Sequence, residues 1–367
     1  MTANTQTSSP VSRATPSHRS RWLKVLAGLL VSVLCLWFAV RDMLKAPDAW
    51  QKIVEAFRNA NYASIPVILL ILIVFYWLKA WRWRLMLSPV GDYRPVRDLL
   101  GPVMIGFGFN NLLPLRIGEF LRCHVLAKQQ RISLTVSLTS VVLERIFDCT
   151  AIVVYLTIGL LFVKGLDPSI QRGAMVFSGI AACIVAAALI YVIWTRPFLN
   201  LVERILKRLP LIPHSVTDRI CHILEKGAKG LSSLKDPRLV AMIMVISMIK
   251  WGLNCFLILI SLWSFGLPHT LPIGMVMMGA IAFGVAIPSS PGFIGVMQLV
   301  FMSVMKFFTE DQEGVFASSI YYQFTQWVPV SLVGVLYALH FLWRGDLDLK
   351  TVEARLEGDP VDVPETA

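Results

Sequence analysis

The chain of 367 residues is 56% hydrophobic and only 16% charged, against roughly 25% charged for a soluble domain. Several apolar runs reach the ~20 residues that cross a bilayer core, so the composition is that of a polytopic membrane protein. Its formal charge of +11 sits in loops between apolar runs, where Lys and Arg set orientation, and this argues against nucleic acid as a partner. The six cysteines are scattered without a CxxC pair, which leaves a disulfide framework or a metal cage unsupported.

Residues 1–21, rich in Ser, Thr and Pro, predict a disordered cytoplasmic tail. Trp22–Val40 runs into Arg41-Asp42 without a small-residue cleavage site, which predicts an uncleaved first span rather than a signal peptide. Trp50, Ile53, Val54 and Phe57 then recur at helical spacing among mixed charges. That pattern fits an amphipathic helix on the outer surface, with a short soluble hairpin as the alternative. A second span runs from Ser64 to Leu78 and extends through Trp81 and Trp83; Lys79, Arg82, Arg84, Arg94 and Arg97 give its end a cytoplasmic signature.

Leu99–Leu113 contains Gly101, Pro102, Gly106 and Gly108 and is too short for a comfortable crossing. Both of its flanks are basic, so residues 99–130 are predicted to dip into the membrane and return as a re-entrant pair. The second limb, Ile117–Gln130, is amphipathic through Phe120, Leu121, Val125 and Leu126. Between the limbs, Pro114 and Gly118 interrupt the helix while Arg116, Glu119 and Arg122 gather. Backbone broken at membrane depth survives only inside protein or beside a water-filled cavity, which makes this stretch a candidate site. An interfacial loop with water-facing Arg side chains is the competing interpretation.

Ser133–Val163 is long enough for a full span yet holds Glu144, Arg145 and Asp148. Glu144 and Asp148, four apart, share a helical face. Unpaired at depth, each charge costs ~2.5–3.5 kcal/mol on the insertion scale, so partners are required, and Arg145, Arg116 and Arg122 are the candidates. The set is either a brace between helices or the lining of a headgroup or proton path. A short outer loop, a span at 174–195 and a cytoplasmic basic loop at 196–238 follow. Nine Lys or Arg against four acids in that loop suit either a solvated loop or an anionic leaflet surface, and His214 and His222 within it lack ligand spacing. Val240–Trp263 crosses outward with Lys250 and Asn254 on one face, and Lys250 is predicted to neutralise Glu144 or Asp148.

Leu271–Phe308 repeats the earlier oddity, with two short limbs broken at Ile287–Gly295. Pro288 and Gly292 have the same separation as Pro114 and Gly118, and Pro291 and Gly295 add to the break; such residues favour an unwound apex. Residues 309–315 are acidic and fit the outer side, Ile320–Trp343 is the last span, and 345–367 form an acidic cytoplasmic tail. The expected architecture is an all-α polytopic membrane domain over 22–344, with six full spans and two re-entrant pairs, one from each side. Corresponding breaks in the two halves point to an inverted repeat around a central site.

Asn111-Leu-Leu-Pro114, Arg116-Ile-Gly118-Glu119 with Arg122, Glu144-Arg145 with Asp148, and Pro288-Ser-Ser-Pro-Gly292 with Gly295-Val296 together resemble the flippase-like family, also described as the lysylphosphatidylglycerol synthase transmembrane region. The similarity extends over most of residues 20–345. It implies movement, or assisted movement, of lipids or lipid-linked precursors across a bilayer. The family often has Glu where this chain has Gln298, which puts in doubt any mechanism needing a carboxylate there. The soluble aminoacyl-transferring domain of the synthase relatives needs a further large region, so lipid aminoacylation by this polypeptide is not expected.

The chain has no phosphate-binding loop, HExxH or nucleophile elbow, which disfavours an ATP-driven pump and a conventional hydrolase. No catalytic residue, metal or cofactor is expected. The preferred reading is a translocator of an anionic or polyprenol-linked lipid in the cell membrane, with both termini cytoplasmic. Its substrate-binding set comprises Asn111, Pro114, Arg116, Gly118, Glu119, Arg122, Glu144, Arg145, Asp148, Lys250, Pro288, Pro291, Gly292, Gly295 and Gln298. Two rivals are an intramembrane lipid transferase, with the Arg cluster on a pyrophosphate and Asp148 as base, and an accessory subunit of a lipid-biosynthetic enzyme.

Overall fold

A computed structural model describes residues 18–88, 95–113, 117–130, 132–165, 168–193, 236–286 and 289–344, together with Pro197 and Arg204. Pro114, Arg116, Pro288, the C-terminal tail, residues 1–17, His214, His222 and nearly all of the basic loop lie outside the described residues.

The described residues form α-helices and short 3-10 turns with no strand. The helices are α1 (His18–Val40), α2 (Ala49–Asn59), α3 (Ile65–Leu87), α4 (Val96–Leu112), α5 (Ile117–Gln130), α6 (Leu134–Phe162), α7 (Pro168–Ile193), α8 (Pro237–Ser264), α9 (Leu271–Gly284), α10 (Val296–Met305) and α11 (Gln312–Trp343). Their starts follow local chemistry. The side chains of Ser133, Asp236 and Asp311 accept backbone N–H groups from Val136, Arg238 and Gly314 at 3.3, 2.9 and 2.8 Å, satisfying donors that a helix start leaves free.

Among the described residues, four stretches are long and apolar enough to cross a membrane: Tyr62–Leu87, Val136–Phe162, Pro237–Ser264 and Gln312–Trp343. The other two predicted full spans fall in α1 and α7, whose apolar described stretches, Leu26–Val40 and Gln171–Ala187, are shorter. The amphipathic helix expected after the first span is α2. It buries Ala49 and Ile53 against the main apolar cluster and leaves Trp50 70% exposed.

Two runs share one order of lengths. The long α3 is followed by the short α4 and α5 and the long α6; the long α8 is followed by the short α9 and α10 and the long α11. Helices α4 and α5 form an antiparallel hairpin held at close range by glycine. A Cβ at Gly118 would collide with the Gly106 carbonyl oxygen and with Asn110, and one at Gly106 would press on the Arg122 stem. Pro102 inside α4 withdraws the N–H that would bond the Asp98 carbonyl, and Gln129 of α5 donates to that carbonyl instead at 3.4 Å.

Helix α11 is the axis on which both interrupted pairs are placed. The wide end of the first hairpin lies at Tyr337 and Phe341, which face Gly101, while Gly334 packs on Gly108 and Met104. Its tip lies where Asn111 Nδ2 donates to Ser331 Oγ (3.3 Å) and Trp327 Nε1 donates to the Asn111 carbonyl (3.1 Å). The tip of the second pair, a 3-10 turn at Pro291–Phe293, lies one turn further toward the helix start, beside Gln323. A Cβ at Gly292 would sit against the Trp327 indole nitrogen and 3.6 Å from the Asn111 carbonyl. The midpoint of Gln312–Trp343 falls at Trp327, so the two breaks meet halfway along this helix.

Candidate functional site

Among the described residues, two of the interior polar clusters gather the side chains of the broken pairs and the long helices beside them. The larger is charged. Helix α6 carries Glu144 and Asp148 on one face, and four cations from three other helices close on them. The Glu144 carboxylate takes Arg122 Nη2 at 2.8 Å, Arg82 Nη2 at 3.0 Å and Lys79 Nζ at 3.4 Å. Asp148 takes Arg82 Nη1 and Lys250 Nζ, each at 2.5 Å, and the Trp251 indole N–H at 3.0 Å. Arg82 Nη2 also donates to the second Asp148 oxygen at 3.3 Å, and Nη1 donates to Ser247 Oγ at 2.7 Å. All six charged side chains are buried, none more than 7% exposed. Asp148 stands at the centre of α6 and Lys250 at the centre of α8, so the cluster lies far from the ends of both helices.

Aromatic rings line the cations. Lys79 Nζ sits 3.7 Å from the Phe107 ring centre, Arg122 lies 5.1 Å from Trp83 and 5.3 Å from Phe107, and Lys250 lies 4.6 Å from Trp251. Each such contact contributes ~0.5–2 kcal/mol, more where water is excluded. Trp83 is itself fixed by its N–H bond to Ser140 Oγ at 2.7 Å. Arg145 turns away from its neighbours on α6. It reaches Glu119 of α5 at 2.5 Å in a partly exposed pair, while the Glu119 backbone N–H is taken by Asn110 Oδ1 at 3.2 Å.

The second cluster is uncharged and lies at the other tip. Gly292 (φ 71°) and Gly295 (φ 90°) adopt the left-handed region that favours glycine. The Gly295 N–H donates to Gln298 Oε1 (2.7 Å), Gln298 Nε2 donates to Gln323 Oε1 (2.7 Å), and Gln323 Nε2 donates to the Gly292 carbonyl (2.5 Å). This chain of amides closes the unwound backbone onto α11. The Gln298 side chain both accepts and donates here, and an ionised Glu at that position would lack the donor. Helix α1 covers the turn, with Ser32 Oγ accepting the Ser290 N–H at 2.8 Å.

The residues singled out from the sequence therefore divide. Arg122, Glu144, Asp148 and Lys250 join the charged cluster, and Glu119 and Arg145 pair at its edge. Asn111, Pro291, Gly292, Gly295 and Gln298 build the two tips, while Gly118 permits the close crossing of α4 and α5. Lys79, Arg82, Trp83, Ser247, Gln323 and Trp327 were missed. The first two passed for cytoplasmic anchors, yet the buried positions Ile68, Leu72, Phe75, Lys79, Arg82 and Met86 follow one another at three- and four-residue steps. That continuity carries the inward face through the basic end of the helix.

Residues 25–334 match the profile of the family described as the lysylphosphatidylglycerol synthase TM region. The glycosyltransferase AglD of Haloferax volcanii is 22% identical over 316 residues, covering 78% of this chain and 49% of that protein, so the chain spans about half the length of that relative. A UPF0104 membrane protein of Methanocaldococcus jannaschii is 26% identical over 236 residues, covering 62% of this chain and 91% of the relative.

Proposed function

The chain belongs to the lysylphosphatidylglycerol synthase TM region family of membrane proteins, and from that premise we propose that it moves, or assists the movement of, a lipid with an anionic headgroup across the bilayer. The observation that carries this reading is the convergence of Lys79, Arg82, Arg122 and Lys250 on two carboxylates in the interior, at the middle of two membrane-length helices. Ionisable groups at such depth are costly and mark substrate or ion paths. Guanidinium groups match phosphate oxygens with a planar fork of donors.

The interrupted pairs are, in this reading, re-entrant hairpins from opposite membrane faces. Helix α4 has 17 residues and α10 has 10, or ~25 Å and ~15 Å at 1.5 Å per residue, short of the ~30 Å hydrocarbon core. Their meeting at the midpoint of α11 and the matched order of helix lengths support an inverted repeat with its site near the midplane. Pro114, Arg116 and Pro288 belong to the proposed set on sequence alone. Both termini and the basic loop at 196–238 are placed on the cytoplasmic side of the cell membrane, following the bias of Lys and Arg.

The test is reconstitution of the full chain into vesicles carrying headgroup-labelled lipids. Redistribution between leaflets without chemical change is expected, with Arg122→Gln slowing it at least about tenfold. Absence of redistribution by a folded protein would remove the proposal. The alignment with a named glycosyltransferase favours one second reading, a part in lipid or glycan modification, and a new lipid product in the same vesicles would establish it.

A further inference from the structure

The charged cluster is unbalanced. Lys79, Arg82, Arg122 and Lys250 face only Glu144 and Asp148, and the Arg145–Glu119 pair at the edge is neutral in sum, so at formal charge, among the described residues, the buried set holds two cations more than anions. The excess is not evenly spread. At the Asp148 end, Arg82 is engaged through two nitrogens and Lys250 lies at 2.5 Å, with Ser247 and Trp251 completing the shell. At the Glu144 end, Lys79 makes its ion pair at 3.4 Å, and Arg122, 1% exposed, keeps a buried Nε with no acceptor among the described residues. Aromatic faces attract these cations but do not neutralise them, and uncompensated buried charge costs several kcal/mol per ion.

We propose, resting on the lipid-translocator reading, that the Glu144 end of this cluster takes a headgroup bearing two negative charges, a phosphate monoester or a diphosphate on a lipid. Its oxygens share Arg122 and Lys79 beside Phe107, while Arg82 and Lys250 remain on Asp148. A phosphodiester headgroup brings one negative charge, and a zwitterionic or cationic headgroup brings less; each leaves a buried cation unmatched. Two added negative charges bring the set to neutrality.

The experiment measures binding to the purified full chain in nanodiscs. The probes are dioleoyl phosphatidic acid, dioleoyl phosphatidylglycerol with the same acyl chains, and inorganic phosphate, each at pH 8 and pH 5. Phosphatidic acid is expected to bind at least about tenfold more tightly than phosphatidylglycerol at pH 8. That ratio should fall toward one at pH 5, because the second phosphate ionisation lies near pH ~6. Inorganic phosphate should bind far more weakly than either lipid. Equal affinities of the two lipids at pH 8, or a preference indifferent to pH, would overturn the assignment. Inorganic phosphate matching phosphatidic acid would make this a free-anion site rather than a lipid site. Lys79→Gln removes one surplus charge and should narrow the pH 8 ratio; should it fail to fold, the pH comparison on the wild-type chain decides alone. Phosphatidic acid preference without leaflet redistribution would sink translocation and leave the headgroup class standing, whereas redistribution without preference would sink the headgroup class only.

Discussion

Asp148 and Lys250 differ in what their removal leaves behind. Asp148 serves Arg82, Lys250 and Trp251 together, so Asp148→Asn leaves Lys250 without its carboxylate and Arg82 with Glu144 alone. A broken buried pair typically costs ~3–5 kcal/mol. Lys250→Met instead leaves Asp148 with Arg82 and Trp251 and lowers the local surplus of positive charge. Thermal unfolding should therefore show a large loss for Asp148→Asn and a much smaller one for Lys250→Met; equal losses would mean that the cluster is not cation-rich in the folded protein. Exchanging Asp148 and Lys250 should not restore stability, because the new lysine would meet Arg82. Gly118→Ala tests geometry instead of charge. Its methyl has no room between α5 and the α4 backbone, and overpacking of this kind costs ~1–3 kcal/mol, visible in the same melt.

Among the elements, the second broken pair depends on side chains to replace backbone bonds that its turn gives up. The Gln298–Gln323 contact ties α10 to α11 and, through the Gly292 carbonyl and Gly295 N–H, holds the left-handed turn. Gln298→Leu alone strands one amide of Gln323 and a backbone donor, and Gln323→Leu strands their counterparts. Removing both partners avoids part of that penalty. A double-mutant cycle should give a coupling of ~0.5–3 kcal/mol, and strict additivity would show that the amides act independently. Helix boundaries were legible at Ser133 and at the Ile117–Gln130 limb, whereas the span expected from Val240 starts at Pro237, behind the Asp236 cap. Nor was the start of α11 legible. The last span was expected from Ile320 with the acidic stretch 309–315 on the outer side, yet Asp311 caps the helix and it runs from Gln312, because the cap needs only one carboxylate facing one N–H.

The whole molecule converges on the midpoint of α11, and that convergence has a direct readout. In a chain with its native cysteines replaced by Ala, single cysteines at positions 45 and 97 should react with a membrane-impermeant thiol reagent from opposite sides. Cysteines at 113 and 294, beside the two tips, should be protected from both. Labelling of both tips from open solvent would remove the midplane site. Composition, hydropathy and the placing of Pro and Gly settled by themselves that the chain is a helical membrane protein with two interrupted segments, because chain length against bilayer thickness and the loss of helical hydrogen bonds are local constraints. Neighbouring sequence also put Glu144 and Asp148 on one face. Which cations answer them was decided only by packing: a basic residue at a helix end has the same local pattern whether it anchors at the surface or turns inward. Lys79 and Arg82 turn inward because α6 and α8 bring a carboxylate pair and a serine to that face of α3, and only the assembled bundle contains that meeting.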